Sequence, residues 1–174
     1  YNKDDKDMVK ESSSAYNYDG RKVSYEEFIK IIEKSDNRYE YIDGRIYLLA
    51  SPTFKHQKII MIISNIYFNW FKGNDCVPLT SPLDISLEKE NSEINVVQPD
   101  LVVICDQENV DGKGKYLGIP VLIVEVLSPS TRNNDLIRKL NLYSASGIQE
   151  YWIVNPFTEQ VVIYTFENGQ IKNM

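Results

Sequence analysis

Glu125 is a carboxylate inside an apolar stretch, VLIVEVL, that runs from Val121 to Leu127. The stretch is much shorter than a membrane span and rich in β-branched residues, which is typical of a buried strand. An ionised carboxylate on such a strand costs roughly several kcal/mol unless it is paired, hydrogen-bonded or bound to a metal. We therefore expect Glu125 to have a partner that stabilises its charge.

Two further charged residues are candidates for the same site. Asp100 lies in the preceding apolar segment, 96–104, which is predicted to form one strand beside that of Glu125. Lys139 lies at the edge of the apolar face of the next predicted helix, one turn before Tyr143, and can reach back toward the strand. Two carboxylates on a rigid sheet suit a hard divalent cation, and a nearby lysine can orient or help deprotonate an attacking water. This set favours metal-assisted hydrolysis of a phosphate ester.

The elements that must position these residues are helices and strands in mixed order. Ser24 and Glu27 have the spacing of a capping box, so the first helix is predicted from about Ser24 to Lys34. Asp43 and Gly44, between two β-rich arms, predict a hairpin. The other predicted elements are a long helix over 52–71 with Ile59, Ile62, Ile63, Ile66 and Trp70 near one side, an edge or broken strand over 76–87, a helix that ends at Gly147, and strands over 150–154 and 161–166.

This order of elements predicts an α/β (α+β) fold, a mixed β-sheet flanked by helices. The chain has 174 residues, of which 43% are hydrophobic and 25% charged, so we expect one globular domain over 20–174. Residues 1–19 are charged and serine-rich without a sustained period and are predicted to form a flexible arm.

No apolar segment reaches membrane-spanning length and no signal peptide is apparent, so we expect a cytoplasmic protein with no membrane partner.

The charge and the cysteines narrow the functional classes. A net charge of −6 gives no overall basic field for nucleic acid, which disfavours a simple DNA-binding module. The same charge is compatible with a nuclease, because acidic groups that hold a metal make the balance negative. Cys76 and Cys105 are too few for a disulfide framework or a structural zinc site, and we interpret them as buried or unreactive thiols.

Several spaced motifs resemble those of the bacterial putative restriction endonuclease family within the PD-(D/E)XK nuclease superfamily. They span about residues 20–166 and occur in the order of that family. The motifs are Tyr39-Glu40-Tyr41-Ile42-Asp43-Gly44, Ser51-Pro52 followed by His56, Gln98-Pro99-Asp100, the segment 124–131 around Glu125, Lys139 with Tyr143, and Gly147 before Glu150-Tyr151-Trp152-Ile153-Val154. The resemblance implies a restriction-endonuclease-like core and magnesium-dependent cleavage of phosphodiester bonds.

The resemblance also implies roles for individual residues. Asp100 and Glu125 match the metal-binding carboxylates, and together with Val126 they are the expected site for Mg²⁺ or Mn²⁺. The lysine of the superfamily usually stands two residues after the glutamate, where this chain has Leu127, so Lys139 is expected to have taken over that role.

Glu40 matches an upstream acid that often completes the metal site. The implied function is that of a magnesium-dependent endodeoxyribonuclease, with DNA as substrate and a homodimer as the working form.

Each of these assignments has an alternative. Asp100, Glu125 and Lys139 could form a purely structural ion network, and the protein would then be a catalytically inactive module for binding or assembly with a nuclease fold. Glu40 could instead pair with Arg38 or Arg45 on its own hairpin.

Other residues at the motifs are assigned no role in the chemistry. His56, the only histidine, is interpreted as a surface or packing residue. Tyr143 and Trp152 are interpreted as core aromatics. A serine-hydrolase triad that uses a hydroxyl from 128–131 would have to enlist His56 and is the least favoured alternative.

Overall fold

The computed structural model describes residues 18–89, 93–112, 114–128 and 134–174, and for 134–136 it describes the backbone only. Most of the predicted N-terminal arm, up to residue 17, lies outside these ranges. The described helices are α1 (Tyr25–Ile32), α2 (Phe54–Trp70) and α3 (Leu140–Ala145). The described strands are β1 (Tyr39–Ile42), β2 (Arg45–Leu48), β3 (Val77–Thr80), β4 (Ile85–Glu88), β5 (Ile94–Val97), β6 (Leu101–Ile104), β7 (Leu122–Val126), β8 (Glu150–Asn155), β9 (Gln160–Glu167) and β10 (Gln170–Asn173).

The smaller sheet has four antiparallel strands in the order β2-β1-β5-β4. Its β1–β2 hairpin turns at Asp43 and Gly44, whose φ angles of 52° and 74° are both positive, as a type I′ turn requires. Helix α1 precedes this hairpin and buries Phe28, and the Ser24 side chain accepts a hydrogen bond from the Glu27 backbone N–H. The predicted hairpin and capped first helix are both confirmed.

The larger sheet has six strands in the order β10-β9-β8-β7-β6-β3. Strands β7 and β8 run parallel, and the other neighbouring pairs are antiparallel. Strand β7 lies in the middle and is covered on both faces, because Ile123 packs with Tyr143 and Tyr151 while Val124 packs with Ile60 of α2. Burial on both faces explains why β7 is an uninterrupted apolar run except for Glu125. Strand β3, which contains Pro78, lies at the sheet edge as predicted.

The single strand predicted over 96–104 is wrong. This segment forms the end of β5 in the smaller sheet and all of β6 in the larger sheet, separated by Gln98, Pro99 and Asp100. Proline has no N–H to donate to a strand ladder, so the ladder cannot continue through Pro99. The Gln98 N–H donates instead to Oε1 of Glu40, at 2.9 Å. The chain therefore crosses from one sheet to the other immediately before Asp100.

The long helix α2 is confirmed, but its predicted buried side is only partly correct. Ile60 is buried, and Ile59, Ile63, Tyr67 and Phe71 pack beside it against the larger sheet. The other three residues of the predicted face are exposed, namely Ile62, Ile66 and Trp70. Because α2 carries apolar residues on all sides, the helical period alone does not determine which side faces the sheet.

The segment that carries Lys139 also differs from the prediction of one regular helix. Residues Asn134–Lys139 form a π-helical turn, which leads directly into α3. Such turns are rare and frequently occur at functional sites. Ser130 and Thr131, whose hydroxyl groups are candidates to cap a helix after β7, lie outside the described residues. Gly147 follows α3 with φ of 85°, so the predicted end of this helix is confirmed.

The interpretation of Cys76 and Cys105 as free thiols is wrong, since a disulfide joins them. In the β3–β6 register, Val77 lies opposite Ile104, so the two cysteines face each other at the next position. Disulfides persist mainly in oxidising compartments, so the Cys76–Cys105 disulfide does not favour the expected cytoplasmic location. That location stays a prediction. None of the described helices has the length and hydropathy that a membrane span requires.

Candidate active site

Glu125 has the partners that its position on a buried strand requires. Its side chain is almost completely buried, in the middle of the larger sheet. Oε1 lies 2.7 Å from Nζ of Lys139 and accepts a hydrogen bond of 2.9 Å from the Tyr143 hydroxyl. Both donors come from the segment that follows β7, where the π-helical turn ends and α3 begins. The predicted contact between Glu125 and Lys139 is therefore present.

The Lys139 ammonium also contacts the smaller sheet. Its Nζ lies 2.9 Å from Oε1 of Glu40, in the middle of β1, and both side chains are only 5% exposed. The same Glu40 oxygen accepts the backbone N–H of Gln98. Among the described contacts, Glu40 pairs with neither Arg38 nor Arg45, so the alternative in which it pairs within its hairpin is wrong.

Asp100 stands beside Glu125 at the end of the β6–β7 ladder. Leu101 pairs with Val124 in this antiparallel ladder. Asp100, one residue before Leu101, therefore lies opposite Glu125, one residue after Val124. Oδ2 of Asp100 accepts the Val126 backbone N–H at 2.7 Å, and Nε2 of His56 lies 3.1 Å from the same oxygen. The Asp100 side chain is 18% exposed, which makes it the most accessible of the three carboxylates.

These residues line one cleft of about 340 Å³ between the two sheets and the start of α2. The structure therefore brings together all the residues that the sequence analysis assigned to the site: Glu40, Asp100, Glu125, Val126 and Lys139. They come from β1, the start of β6, β7 and the π-helical turn. Their convergence depends on the crossing between sheets at Gln98-Pro99-Asp100.

Two residues without a predicted role also belong to this site. His56 is 8% exposed and touches Asp100, whereas it was interpreted as a surface or packing residue. Tyr143 is a fully buried core aromatic as predicted, but its hydroxyl also binds Glu125. Burial, and next the nearby Glu125 charge, raise the pKa of Tyr143 well above its usual value, so the hydroxyl stays protonated and donates. The sequence analysis did not predict this contact, and the spacing of Tyr143 one turn after Lys139 is the signal that could have indicated it.

The donor atoms fit a magnesium ion only with help from water or substrate. No group of three or more His, Cys, Asp or Glu residues in the described ranges is arranged to hold an ion. The Lys139 ammonium contacts both Glu40 and Glu125. Mg²⁺, however, is usually bound by one or two carboxylates, and water and substrate phosphates complete its shell. Asp100 and Glu125, which are adjacent oxygen donors in one cleft, meet that smaller requirement.

The fold is shared with a solved structure. A crystal structure of a putative nuclease belonging to DUF820, from Anabaena variabilis, matches the fold with a TM-score of 0.62. The match covers 77% of this chain and 74% of that chain at 20% sequence identity. The two sheets flanked by helices therefore have the same fold as that putative nuclease.

The sequence comparisons identify the family. The profile of the Uma2 family, described as putative restriction endonuclease, matches residues 25–174. An uncharacterized protein from Synechocystis sp. (strain PCC 6803) is 31% identical over 144 residues, which are 82% of this chain and 74% of that protein. The chain belongs to the Uma2 family, and the resemblance found in the sequence motifs is confirmed.

The first prediction concerns the buried ammonium. Replacing Lys139 by methionine leaves the carboxylates of Glu40 and Glu125 buried without their shared cation, so we expect the free energy of unfolding to fall by about 3–5 kcal/mol. Urea denaturation measures this change. Lys172→Met is the control, because Lys172 pairs with Glu167 on the surface and its loss should cost at most about 1 kcal/mol. Equal stability of the two variants would contradict the assigned ion triad.

Proposed function

We propose that this protein is a metal-dependent endonuclease that hydrolyses phosphodiester bonds of DNA. The observation that carries the proposal is the convergence of Glu40, Asp100, Glu125 and Lys139 in one cleft of a nuclease fold. Three carboxylates and an ammonium are costly to gather in a partly buried cleft, and such a convergence of charged groups in a cleft favours a functional site. Membership of the Uma2 family supports the same conclusion.

Asp100 and Glu125 would hold Mg²⁺ or Mn²⁺, together with the backbone carbonyl of Val126, because the valine side chain has no donor atom. Such an ion would supply Lewis-acid chemistry at this position, polarising the phosphoryl oxygen and activating the attacking water. Residues beside the carboxylates fix their orientation. Tyr143 donates to Glu125, and the Val126 N–H donates to Asp100, so both carboxylates are positioned before substrate binds.

The remaining groups act on water and on phosphate charge. Lys139 is held between Glu40 and Glu125, so its ammonium is fixed at the edge of the two proposed metal ligands. From this position we propose that it orients the attacking water and stabilises the negative charge on the phosphate. Glu40 assists by holding the ammonium and is itself held by the Gln98 N–H.

A second candidate function is a binding or assembly module that has lost cleavage. The specific observation in its favour is the ion triad, in which Lys139 already neutralises charge on Glu40 and Glu125. The described residues contain no preformed cluster of three metal-ligating side chains, which fits such a module as well. Metal binding distinguishes the two functions, because only the nuclease requires it.

We also propose that the protein is a homodimer and that the exposed side of α2 forms its interface. Two apolar stripes run along this side: Phe54, Met61 and Phe68 at 62–85% exposure, and Ile62, Ile66 and Trp70 at 50–76% exposure. A second copy is the occupant that this surface fits, because a two-fold axis brings identical stripes together. Three of the six residues are aromatic, and aromatic side chains cover about 150–250 Å² each when buried, so these three supply at most about 450–750 Å² of the roughly 800 Å² per partner of a stable interface, and the three aliphatic residues add to it.

The second prediction tests the chemistry. Asp100→Asn and Glu125→Gln should each lower Mg²⁺-dependent cleavage of DNA by at least about 100-fold, since each removes a charge that binds the metal. A gel-based cleavage assay measures the rate, and circular dichroism checks that the fold is retained. Glu167→Gln, on the exposed β9–β10 hairpin, is the control and should cleave normally. Cleavage that survives both site substitutions would refute the assignment.

The third prediction separates the nuclease from the inactive module. Mg²⁺ or Mn²⁺ at about 100 times its dissociation constant should raise the free energy of unfolding by about 2.7 kcal/mol. Thermal or urea denaturation at increasing metal concentration measures this gain, which should vanish in Asp100→Asn. If millimolar metal stabilises the wild-type protein no more than this variant, the result supports the inactive binding module and contradicts the nuclease.

The fourth prediction tests the interface. Met61→Glu and Ile66→Glu place charges on the two stripes of α2 without touching the core, so each should convert the dimer to a monomer. Light scattering after size-exclusion chromatography measures the mass. Ile171→Glu introduces the same change at a 50% exposed residue on β10 and should leave the dimer intact. A wild-type monomer, or variants that stay dimeric, would rule out this interface.

A further inference from the structure

Arg38 is a second cation at the cleft, and neither the proposed chemistry nor the metal site uses it. It immediately precedes β1 and lies two residues before Glu40. Side chains two residues apart on an extended strand point to the same face, and both residues line the cleft. The Arg38 carbonyl accepts the Leu49 N–H at 2.9 Å, which extends the β1–β2 ladder and fixes the backbone at this position.

The guanidinium of Arg38 is held by a neutral group. Its Nη1 donates to Oγ of Ser81 at 3.2 Å, and the Ser81 backbone N–H donates to the carbonyl of Asp100, also at 3.2 Å. Arg38 is therefore tied through one residue to the backbone of a proposed metal ligand. This connection links the position of the guanidinium to that of the Asp100 backbone.

Arg38 has no carboxylate partner among the residues that the structure describes, although three carboxylates line the same cleft. The hydrogen bond to Ser81 uses one of the five N–H donors of a guanidinium. The planar fork of these donors matches two oxygens of a phosphate, and arginine is preferred over lysine for that purpose. A hydroxyl therefore orients the half-buried Arg38, and no described acidic residue neutralises it. Such an arginine is suited to bind the anionic group of a ligand.

The balance of charge in the cleft indicates which anion. Glu40, Asp100 and Glu125 contribute three negative charges, and Lys139 and Arg38 contribute two positive ones, so the lining carries a net charge of −1 when His56 is counted as neutral. This lining repels a phosphodiester until a divalent cation changes the sum to +1. Without Arg38 the sum with the cation would be zero, so the arginine decides whether the loaded cleft attracts a polyanion.

We propose that Arg38 binds a backbone phosphate of the DNA strand, beside the phosphate that is attacked. The inference rests on the proposed function, because it takes the bound strand to be the substrate of the nuclease. It assigns to Arg38 the role of positioning the strand, while the metal ligands and Lys139 act on the bond that breaks. The role is independent of base sequence, since phosphates carry no sequence information.

The experiment compares Arg38→Gln, Arg38→Lys and Ser81→Ala with a control, Arg45→Gln, whose arginine binds the Gly20 carbonyl on the exposed side of the hairpin. Binding to a short DNA duplex is measured by fluorescence anisotropy at several salt concentrations, with Ca²⁺ in place of Mg²⁺ to slow hydrolysis. Arg38→Gln should weaken binding by about 10-fold and reduce the slope of log K against log salt by about one.

The other variants test the geometry of the contact. Arg38→Lys should keep the salt slope of the wild type and lose several-fold in affinity, since an ammonium lacks the fork. Ser81→Ala should keep the slope and weaken binding less than Arg38→Gln, whereas Arg45→Gln should bind like the wild type. If Arg38→Gln binds with the affinity and salt slope of the wild type, the proposal is overturned. A purely structural arginine would change the stability of the protein and not the salt slope.

Failure of this inference can be distinguished from failure of the nuclease function by measuring cleavage in parallel. If the wild-type protein binds DNA through Arg38 and never cleaves it with Mg²⁺ or Mn²⁺, the nuclease function fails and the phosphate contact stands. If it cleaves DNA and Arg38→Gln has an unchanged KM, the contact fails and the nuclease function stands. If the wild-type protein neither binds nor cleaves DNA, both are overturned.

Discussion

The structure depends on one buried ammonium group shared between two sheets. Lys139 contacts Glu125 of the larger sheet and Glu40 of the smaller sheet, at 2.7 and 2.9 Å. Burying any of the three charges alone would cost several kcal/mol, roughly, so each requires the others. The triad therefore fixes how the two sheets meet. The triad lies in the cleft where the chemistry is proposed to occur. The same ion pairs therefore join the two sheets and position the residues of the site.

The crossing at Gln98-Pro99-Asp100 serves the same two purposes. Pro99 ends one strand ladder, and the chain enters the next sheet within three residues. The crossing leaves the Gln98 N–H free to bind Glu40 and places Asp100 against the Val126 N–H. A segment that ran straight through as a single strand would leave Asp100 in one sheet with no second sheet beside it. The break in the ladder is thus a condition for the cleft.

The site combines fixed carboxylates with a local shortage of positive charge. Each acid of the cleft accepts at least one hydrogen bond from a backbone N–H, a hydroxyl or the ammonium. Hydrogen bonds of this kind fix the carboxylate oxygen atoms in place. A cleft that is rigid and slightly negative is suited to a divalent cation, and with the cation bound it is suited to a phosphate. Arg38 lies at the side of this cleft and faces it without an acidic partner among the described residues.

Local features of the sequence were sufficient to predict most individual elements. The serine cap of α1, the Asp43-Gly44 turn, the edge position of β3 and the end of α3 at Gly147 were predicted correctly. Each depends on φ preferences or hydrogen bonds within a few residues. The family motifs also identified Glu40, Asp100, Glu125, Val126 and Lys139 as the residues of one site, although their catalytic roles stay predictions.

The sequence by itself determined which charged residues need partners, because a carboxylate in an apolar strand is costly wherever that strand lies. The sequence also predicted that Lys139 reaches Glu125, but only the tertiary structure identified the remaining partners. The sharing of Lys139 between two acids, the contact of His56 with Asp100, the buried side of α2 and the pairing of Cys76 with Cys105 all join segments that are distant in the chain. Such contacts depend on how sheets and helices pack, and periodicity and local propensity contain no information about packing across that distance.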